Sequence, residues 1–242
     1  MISLIMPYYD NPTMLERHYT EWNRWPDKLL AEFTFIIVDD GSPTTPALSV
    51  PRNLKPSVRI GIYRVMEDRP WHQHGARNLG AHVAPEGWLL LTDMDHMLER
   101  GPADGLIFRL RDRQPPLDPF TAYMFARIEG DTRQPTKNDK GDLKPHPNSF
   151  LMSRDLYWQV GGYDENYCGI YGTDSLFRKR LPQPISYLDV PLVRYSRDMG
   201  FKDASTQTLA RKEDLTRGER RAAVAAKRLP IKTLDFPWRR EC

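Results

Sequence analysis

An α/β fold with a mostly parallel sheet is what this sequence predicts, and three observations predict it. Short apolar runs alternate with helically spaced segments over the first hundred residues. Several of those runs stop abruptly on acidic turns. The connections are also long enough for crossover helices, as parallel strand pairs require. "SLIMPYY" (3–9) is the first run, closed by Pro7 and two tyrosines. Residues 12–25 place Met14, Leu15, His18, Tyr19 and Trp22 at helical spacing, with Pro12 near the helix start. "FTFIIVDDGSP" (33–43) is a β-branched strand ending in a polar turn, and "VRIGIYRV" (58–65) alternates as a third strand. "HGARNLGAHVA" (74–84) suits a helix and "GWLLLTD" (87–93) a buried strand.

Beyond residue 100 the rhythm changes. "PADGLIFRLRD" is a helix candidate and "DPFTAYMFARI" (118–128) a long strand. Residues 129–147 carry almost no apolar side chains and read as a mobile loop. A strand, a short helix, a glycine-rich turn and another helix are expected over 148–181, then a last strand-like run, "PLVRYSRD" (191–198). A charged helix and a Pro-Trp tail complete the chain. No internal repeat is visible. The expected organisation is one domain over 1–242: a ligand-binding half (1–98), a second half completing the site (99–200), and a charged helix and tail (201–242).

Composition narrows the class. Hydrophobic residues make up 40% and charged residues 28% of the 242 positions, which suits a globular chain and argues against disorder. Two cysteines, Cys168 and Cys242, cannot form a disulfide framework, so reduced thiols are expected. No apolar run approaches the roughly 18 residues of a membrane helix. The first strand starts almost at Met1, leaving no room for a signal peptide, and a cytoplasmic protein is expected. Net charge is +3 and the isoelectric point about 8.8. That permits phosphate-rich partners without requiring them.

Ligands of parallel α/β sheets bind outside the carboxyl ends of the strands. Three acidic or polar clusters fall there: Tyr8–Asp10, Asp39–Asp40 and Asp93–Asp95. Carboxylates one residue apart at a strand end suit a hard divalent cation, which commonly takes one or two carboxylates plus phosphate oxygens. An Asp-x-Asp pair also arises readily by chance, so its context has to carry the argument.

That context is a succession of motifs: "IMPYYDN", "FIIVDDGSP", "GARNLGAHVAPEGWLLLTDMDHML", "NSFLMSRDLYWQVGGYDENY" and "YGTDSLFRKRL". Together they resemble the family 2 glycosyltransferases and their GT-A-fold relatives, over about residues 2–181. "NYCGIYGTDSLFRKRL" and "VRYSRD" are similar to the β-1,4-galactosyltransferase group. The resemblance implies an inverting, metal-dependent enzyme that moves a hexose from a nucleoside-diphosphate sugar, UDP first among them, to an acceptor hydroxyl. It implies Mn2+ or Mg2+ as cofactor. Pro7, Tyr8, Asp10, Asp39 and Asp40 would shape the nucleoside pocket, with Asp39 facing the base. Arg77 would lie near the donor, and Asp93 would contact ribose or metal. Asp95 would bind the metal bridging the diphosphate. Gly162, Tyr163 and Asp164, within "GGYDE", would support the acceptor side. Asp174 would take the proton from the acceptor.

Two departures stand out. Thr173 occupies the place where the family carries Glu, and Tyr195 and Leu192 replace His and sulfur metal ligands of the galactosyltransferase group. The acceptor is expected to be a glycan, with a hydroxylated DNA base as competitor. Trp71 and Tyr171 are further acceptor-side candidates, although packing explains Trp71 equally well and is the stronger reading for Tyr171. Two other classes compete. One is a metal-dependent hydrolase built on His72, His74, Asp93, Asp95 and His96. The other is a nucleotide-sugar-binding module without activity. Segments 129–147 and 196–212 are candidate lids over a bound donor.

Overall fold

A computed structural model describes residues 1–111, 116–141, 144–170, 172–196, 199–202, 219, 222, 226 and 229–242. Its centre is four parallel strands: β1 (Ile2–Tyr8), β2 (Phe33–Asp39), β3 (Ile60–Val65) and β4 (Trp88–Leu91), in the order β4-β1-β2-β3. Between them run α1 (Pro12–Asn23), the short α2 (Asp27–Leu30) and α3 (Gln73–Val83). The chain builds β1, β2 and β3 outward and then returns to lay β4 on the other side of β1. That return makes a topological switch point between β1 and β4, where α/β sheets place their ligands.

Alternation along each central strand feeds two cores. Leu4, Met6, Phe35 and Leu90 pack with α1, where Trp22 stacks on Phe35 with ring centroids 4.0 Å apart. Ile5, Ile36, Leu89 and Leu91 face the other way, onto Ala76 and Leu79 of α3. Strands buried on both faces read as continuous apolar runs, which explains "LLL" before Thr92 and Asp93. Helix α3 approaches β1 so closely that a Cβ on Gly80 would sit 2.3 Å from Ile5 Cγ2.

The second half widens the sheet. β5 (His96–Met97), β6 (Tyr123–Glu129), β7 (Phe150–Ser153) and β8 (Ser186–Arg194) extend it in the order β5-β8-β6-β7-β4. Here β4–β7, β7–β6 and β8–β5 are antiparallel and only β6–β8 is parallel. The sheet is therefore parallel at its centre and mixed outside it. α4 (Arg100–Arg111), α5 (Arg154–Gln159) and α6 (Asp174–Arg180) complete the long elements. Ser153 caps α5 by accepting from the Leu156 N–H.

The end of the chain corrects the expectation of a simple tail. Trp238–Arg240 form β9, antiparallel to β3 at the sheet edge. Three backbone groups, Lys232 O, Leu234 N and Asp235 N, bond to Glu165 and fasten the segment leading to it. The helix expected before it lies almost wholly outside the described residues. Among the described residues no helix is long and apolar enough to cross a membrane.

Buried histidines couple the fold to pH, His18 together with His96 and His146. His18 of α1 is 1% exposed and its Nε2–H donates to the Met94 carbonyl at 2.8 Å. Burial lowers its pKa from 6.5 to about 4. The unfolded chain binds this proton more readily, so stability falls as pH drops from 6.5 towards 4 and levels off below. At pH 5 the expected loss from this ring is roughly 2 kcal/mol. The raised carboxyls Asp39 and Asp93 act with opposite sign, because the folded chain binds their protons more readily. Urea unfolding of wild type and His18→Gln at pH 7 and pH 5 checks this. The variant should show the shallower pH dependence.

Candidate active site

The site is assembled around the first turns of α3. Gln73 and His74 reach Asp174 at the start of α6: Gln73 Nε2 donates to Asp174 Oδ1 at 2.8 Å, and His74 Nε2 lies 3.5 Å from the same oxygen. Arg77, four residues after Gln73 and so on the same helix face, donates from Nη2 to Asp93 Oδ1. Arg77 is wholly buried and also feels the charge of Asp174. One helix thus holds the carboxylate at the end of β4 and the carboxylate of α6 in a single cluster.

Asp93 and Asp95 sit just beyond β4, at the switch point. Asp93 Oδ2 lies 3.3 Å from His146 Nε2. Burial pushes the Asp93 carboxyl above the ordinary carboxylate range, against the Arg77 guanidinium that pulls it down. Asp95 is 6% exposed, and its Oδ1 accepts from His96 Nδ1 at 2.8 Å. The His96 and His146 rings lie 3.9 Å apart. Burial keeps both neutral: His96 is held well below its usual range, and His146 is lowered to about 3.

Opposite them, β1 and β2 end in interlocked turns. Asp39 is buried and accepts from Ser42 N–H at 2.8 Å and Ala47 N–H at 2.7 Å, with Arg64 Nη1 at 3.8 Å from Oδ2. Burial raises its pKa. Tyr8 donates to the Thr45 carbonyl at 2.7 Å, while Asp10 Oδ1 accepts from Thr44 and Thr45 N–H at 3.2 and 2.7 Å. Asp40 Oδ1 lies 3.4 Å from His72 Nδ1. Gly41 adopts φ +75°, and a Cβ there would meet the Glu67 carbonyl oxygen at 2.7 Å. A side chain at this position would therefore deform the turn.

The acceptor-side candidates are placed by Asn78 and its neighbours. Gly162 (φ +59°) leads into Tyr163, whose N–H donates to Asn78 Oδ1 at 2.8 Å and whose hydroxyl donates to Asn148 Oδ1 at 2.6 Å. The Asp164 carbonyl faces His74 Nδ1 at 3.2 Å. Trp71 is 9% exposed at φ +45°, immediately before α3. Tyr171 lies outside the described residues.

Of the two departures, Thr173 is buried and its hydroxyl donates to the Ile170 carbonyl. Tyr195 turns to Arg17, which donates to its hydroxyl at 3.0 Å and stacks 4.1 Å over its ring. Leu192 is in the core.

The hydrolase constellation does not come together. His72 faces Asp40 and Phe236, His74 faces Asp174, and His96 faces Asp95. Among the described residues no three His, Cys, Asp or Glu side chains surround one metal position. A hard cation at Asp95, with Asp93 beside it, would take its remaining ligands from phosphate and water. Two carboxylates without sulfur suit Mg2+ or Mn2+ in that role.

Three contributors were not visible in the sequence. Gln73 sits between the two histidines that drew notice, His146 comes from the loop read as mobile, and Asn148 accepts from Tyr163 and donates to Gln73 Oε1 at 3.4 Å. No spacing rule links any of them to its partner.

No protein-family model matches the chain, and no curated protein sequence matches it. Solved structures do. "S. aureus TarS 1-349" superposes with TM-score 0.58 at 15% identity, covering 93% of this chain and 69% of that one. The same protein in complex with UDP-GlcNAc gives 0.57 at 14%, over 93% and 70%. Mannosyltransferase PcManGT from Pyrobaculum calidifontis, in complex with GDP-Man and Mn2+, gives 0.56 at 16%. That match covers 80% of this chain and only 56% of the mannosyltransferase. The superposition on these glycosyltransferases, with a sheet that is parallel at its centre, mixed outside it and flanked by helices, gives the chain a GT-A fold.

Proposed function

We propose that the protein is an inverting glycosyltransferase that transfers a hexose from a nucleoside-diphosphate sugar, UDP the expected nucleotide, to a hydroxyl group. The carrying observation is that α3 binds Asp93 through Arg77 and Asp174 through Gln73, so a strand-end acidic pair and one further carboxylate share a cluster at the switch point. The GT-A neighbours are in complex with UDP-GlcNAc in one case and with GDP-Man and Mn2+ in another, which supports a nucleotide-sugar donor.

In this reading the turns holding Tyr8, Asp10, Asp39 and Asp40 form the wall of the nucleoside pocket. Asp95, with Asp93, would hold Mn2+ or Mg2+. A cation there would neutralise the charge that grows on the departing diphosphate. Asp174 accepts the acceptor's hydroxyl proton, and the freed oxygen forms its bond to the anomeric carbon. The bond to the diphosphate breaks on the opposite face, and the nucleotide leaves with the electron pair. His74 lies beside this base, with Nδ1 3.2 Å from the Asp164 carbonyl and Nε2 3.5 Å from Asp174 Oδ1. The acceptor hydroxyl belongs to a glycan or to a hydroxylated DNA base.

A nucleotide-sugar-binding module without activity is the second reading, favoured by Thr173 and Tyr195 both facing away from the cluster. A thermal-shift screen of nucleoside-diphosphate sugars with Mn2+ or Mg2+ tests the shared part of both. A donor at a hundred times its Kd should stabilise by about 2.7 kcal/mol. For a chain this size that raises the melting temperature by roughly 5–10 °C. The rise should need nucleotide and metal together. No shift with any nucleotide sugar sinks both readings.

A further inference from the structure

Beside the catalytic cluster lies an open cleft of about 860 Å3 whose walls come from three places in the chain. Lys144, Pro145 and Pro147 form one wall, Arg178 and Lys179 of α6 another, and Tyr187 of β8 a third. Among the described residues its lining contains three cations and no carboxylate. None of Lys144, Arg178 and Lys179 forms an ion pair with a carboxylate among the described residues. The Tyr187 ring is 68% exposed. A large aromatic left open beside unpaired cations is a ready platform for a ring-shaped ligand.

Residues lining the cleft adjoin, along the chain, those of the proposed chemistry. Arg178 follows Asp174 by one helical turn on the same face of α6. Pro145 and Pro147 flank His146, which faces Asp93. Asn148, next in the chain, reaches Gln73, and Gln73 holds Asp174.

We infer that this cleft is the acceptor subsite and that the acceptor is an anionic saccharide, one bearing phosphate or carboxylate groups. The inference rests on the glycosyltransferase reading and adds the class of its acceptor. The volume matches a ligand of a few rings, within the range of about 300–1,000 Å3 usual for small-molecule sites. A nucleic-acid duplex, by contrast, is normally gripped by a longer track of phosphate contacts. Three unpaired cations select charge, while Tyr187 and the two prolines offer flat apolar faces to sugar rings.

The test uses the full chain and measures binding of three probes by calorimetry at low and moderate salt. These are a tetramer of galacturonic acid, a neutral galactose tetramer and a six-residue thymidine oligonucleotide. The acidic tetramer should bind in preference to the other two, and its affinity should fall as salt screens the cations. A Lys144→Ala/Arg178→Ala/Lys179→Ala triple variant should weaken it about tenfold or more, and Tyr187→Ala should weaken both saccharides. Equal binding of acidic and neutral tetramers, or no effect of the triple variant, overturns the inference. Tighter binding of the oligonucleotide overturns the saccharide assignment. UDP with Mn2+ is titrated into the same preparations. Failure of UDP to bind, and of GDP titrated in the same way, overturns the glycosyltransferase reading and the acceptor role with it, whereas nucleotide binding without saccharide discrimination overturns the cleft alone.

Discussion

Replacing Asp174 with Asn is expected to lower the rate of sugar transfer by roughly a hundred- to ten-thousand-fold, the usual contribution of a positioned general base. Asn has the same shape, and its amide oxygen can still accept from Gln73 Nε2, so the local geometry should survive. What it loses is the ability to take a proton. Donor binding should therefore be retained, because among the described residues Asp174 bonds to Gln73 and faces His74 rather than the nucleoside-pocket turns. The measurement is a pair: single-turnover transfer from the donor that gives the largest thermal shift, and the shift itself. Lost transfer with an unchanged shift is the expected result. Transfer that drops less than about tenfold would remove Asp174 from the role of base. A wild-type protein that binds donor yet transfers to no acceptor would favour the inactive module.

The largest expected effect on stability is at Arg77. Its guanidinium is completely buried, with Nη2 on Asp93 and with Nε and Nη1 lacking any hydrogen-bond partner among the described residues. Arg77→Met removes the cation bonded to a carboxylate that burial already disfavours. Breaking a buried pair in this way costs roughly 3–5 kcal/mol. At this chain length the melting temperature should fall by roughly 6–20 °C. The sign of the pH dependence follows. Without Arg77 the Asp93 carboxyl holds its proton to still higher pH, so the deficit should shrink as pH falls. Adding Asp93→Asn should recover part of the loss, because the double variant leaves no uncompensated charge. Thermal unfolding of the single and double variants at two pH values checks both statements. If the single variant is as stable as wild type, Arg77 does not hold Asp93 in the way described.

The orphaned atoms of Arg77 also bear on function. A buried guanidinium with two unpaired nitrogens beside a strand-end acidic pair is a costly arrangement for a fold to maintain. An anionic ligand arriving at the switch point would meet a field already set by Arg77, Asp93 and Asp95 together. The neutral state of His96 and His146 keeps further positive charge out of that field.

How much of this was readable in the chain depends on the range over which each pattern acts. Strand alternation, helical spacing and polar turns are local, repeating within a few residues, and they located the β1–β4 centre, α1, α3 and the acidic strand ends. "LLLTDMD" announced both a strand buried on two faces and the carboxylates delivered at its end. Local pattern could not say what those carboxylates meet. Gln73 and Asp174 are 101 residues apart, and nothing in "WHQHG" marks the glutamine rather than the histidines as the residue that bonds the base. His146 looked like part of a solvated loop because its neighbours are polar. In the fold it is buried against Asp93 because β6 and β7 bring both ends of that loop back to the sheet. Asp39 was expected to face the base, and in the fold both its oxygens are engaged by backbone N–H groups of the turn beyond it. The end of the chain looked like a charged tail and became an edge strand, since β3 presented an open row of backbone groups and Glu165 fastened the segment before it. Side-chain period and turn chemistry are properties of neighbours in sequence. Which acid gains a cation, which loses water and which keeps a proton follow from neighbours in space, and those exist once the sheet has closed around α3.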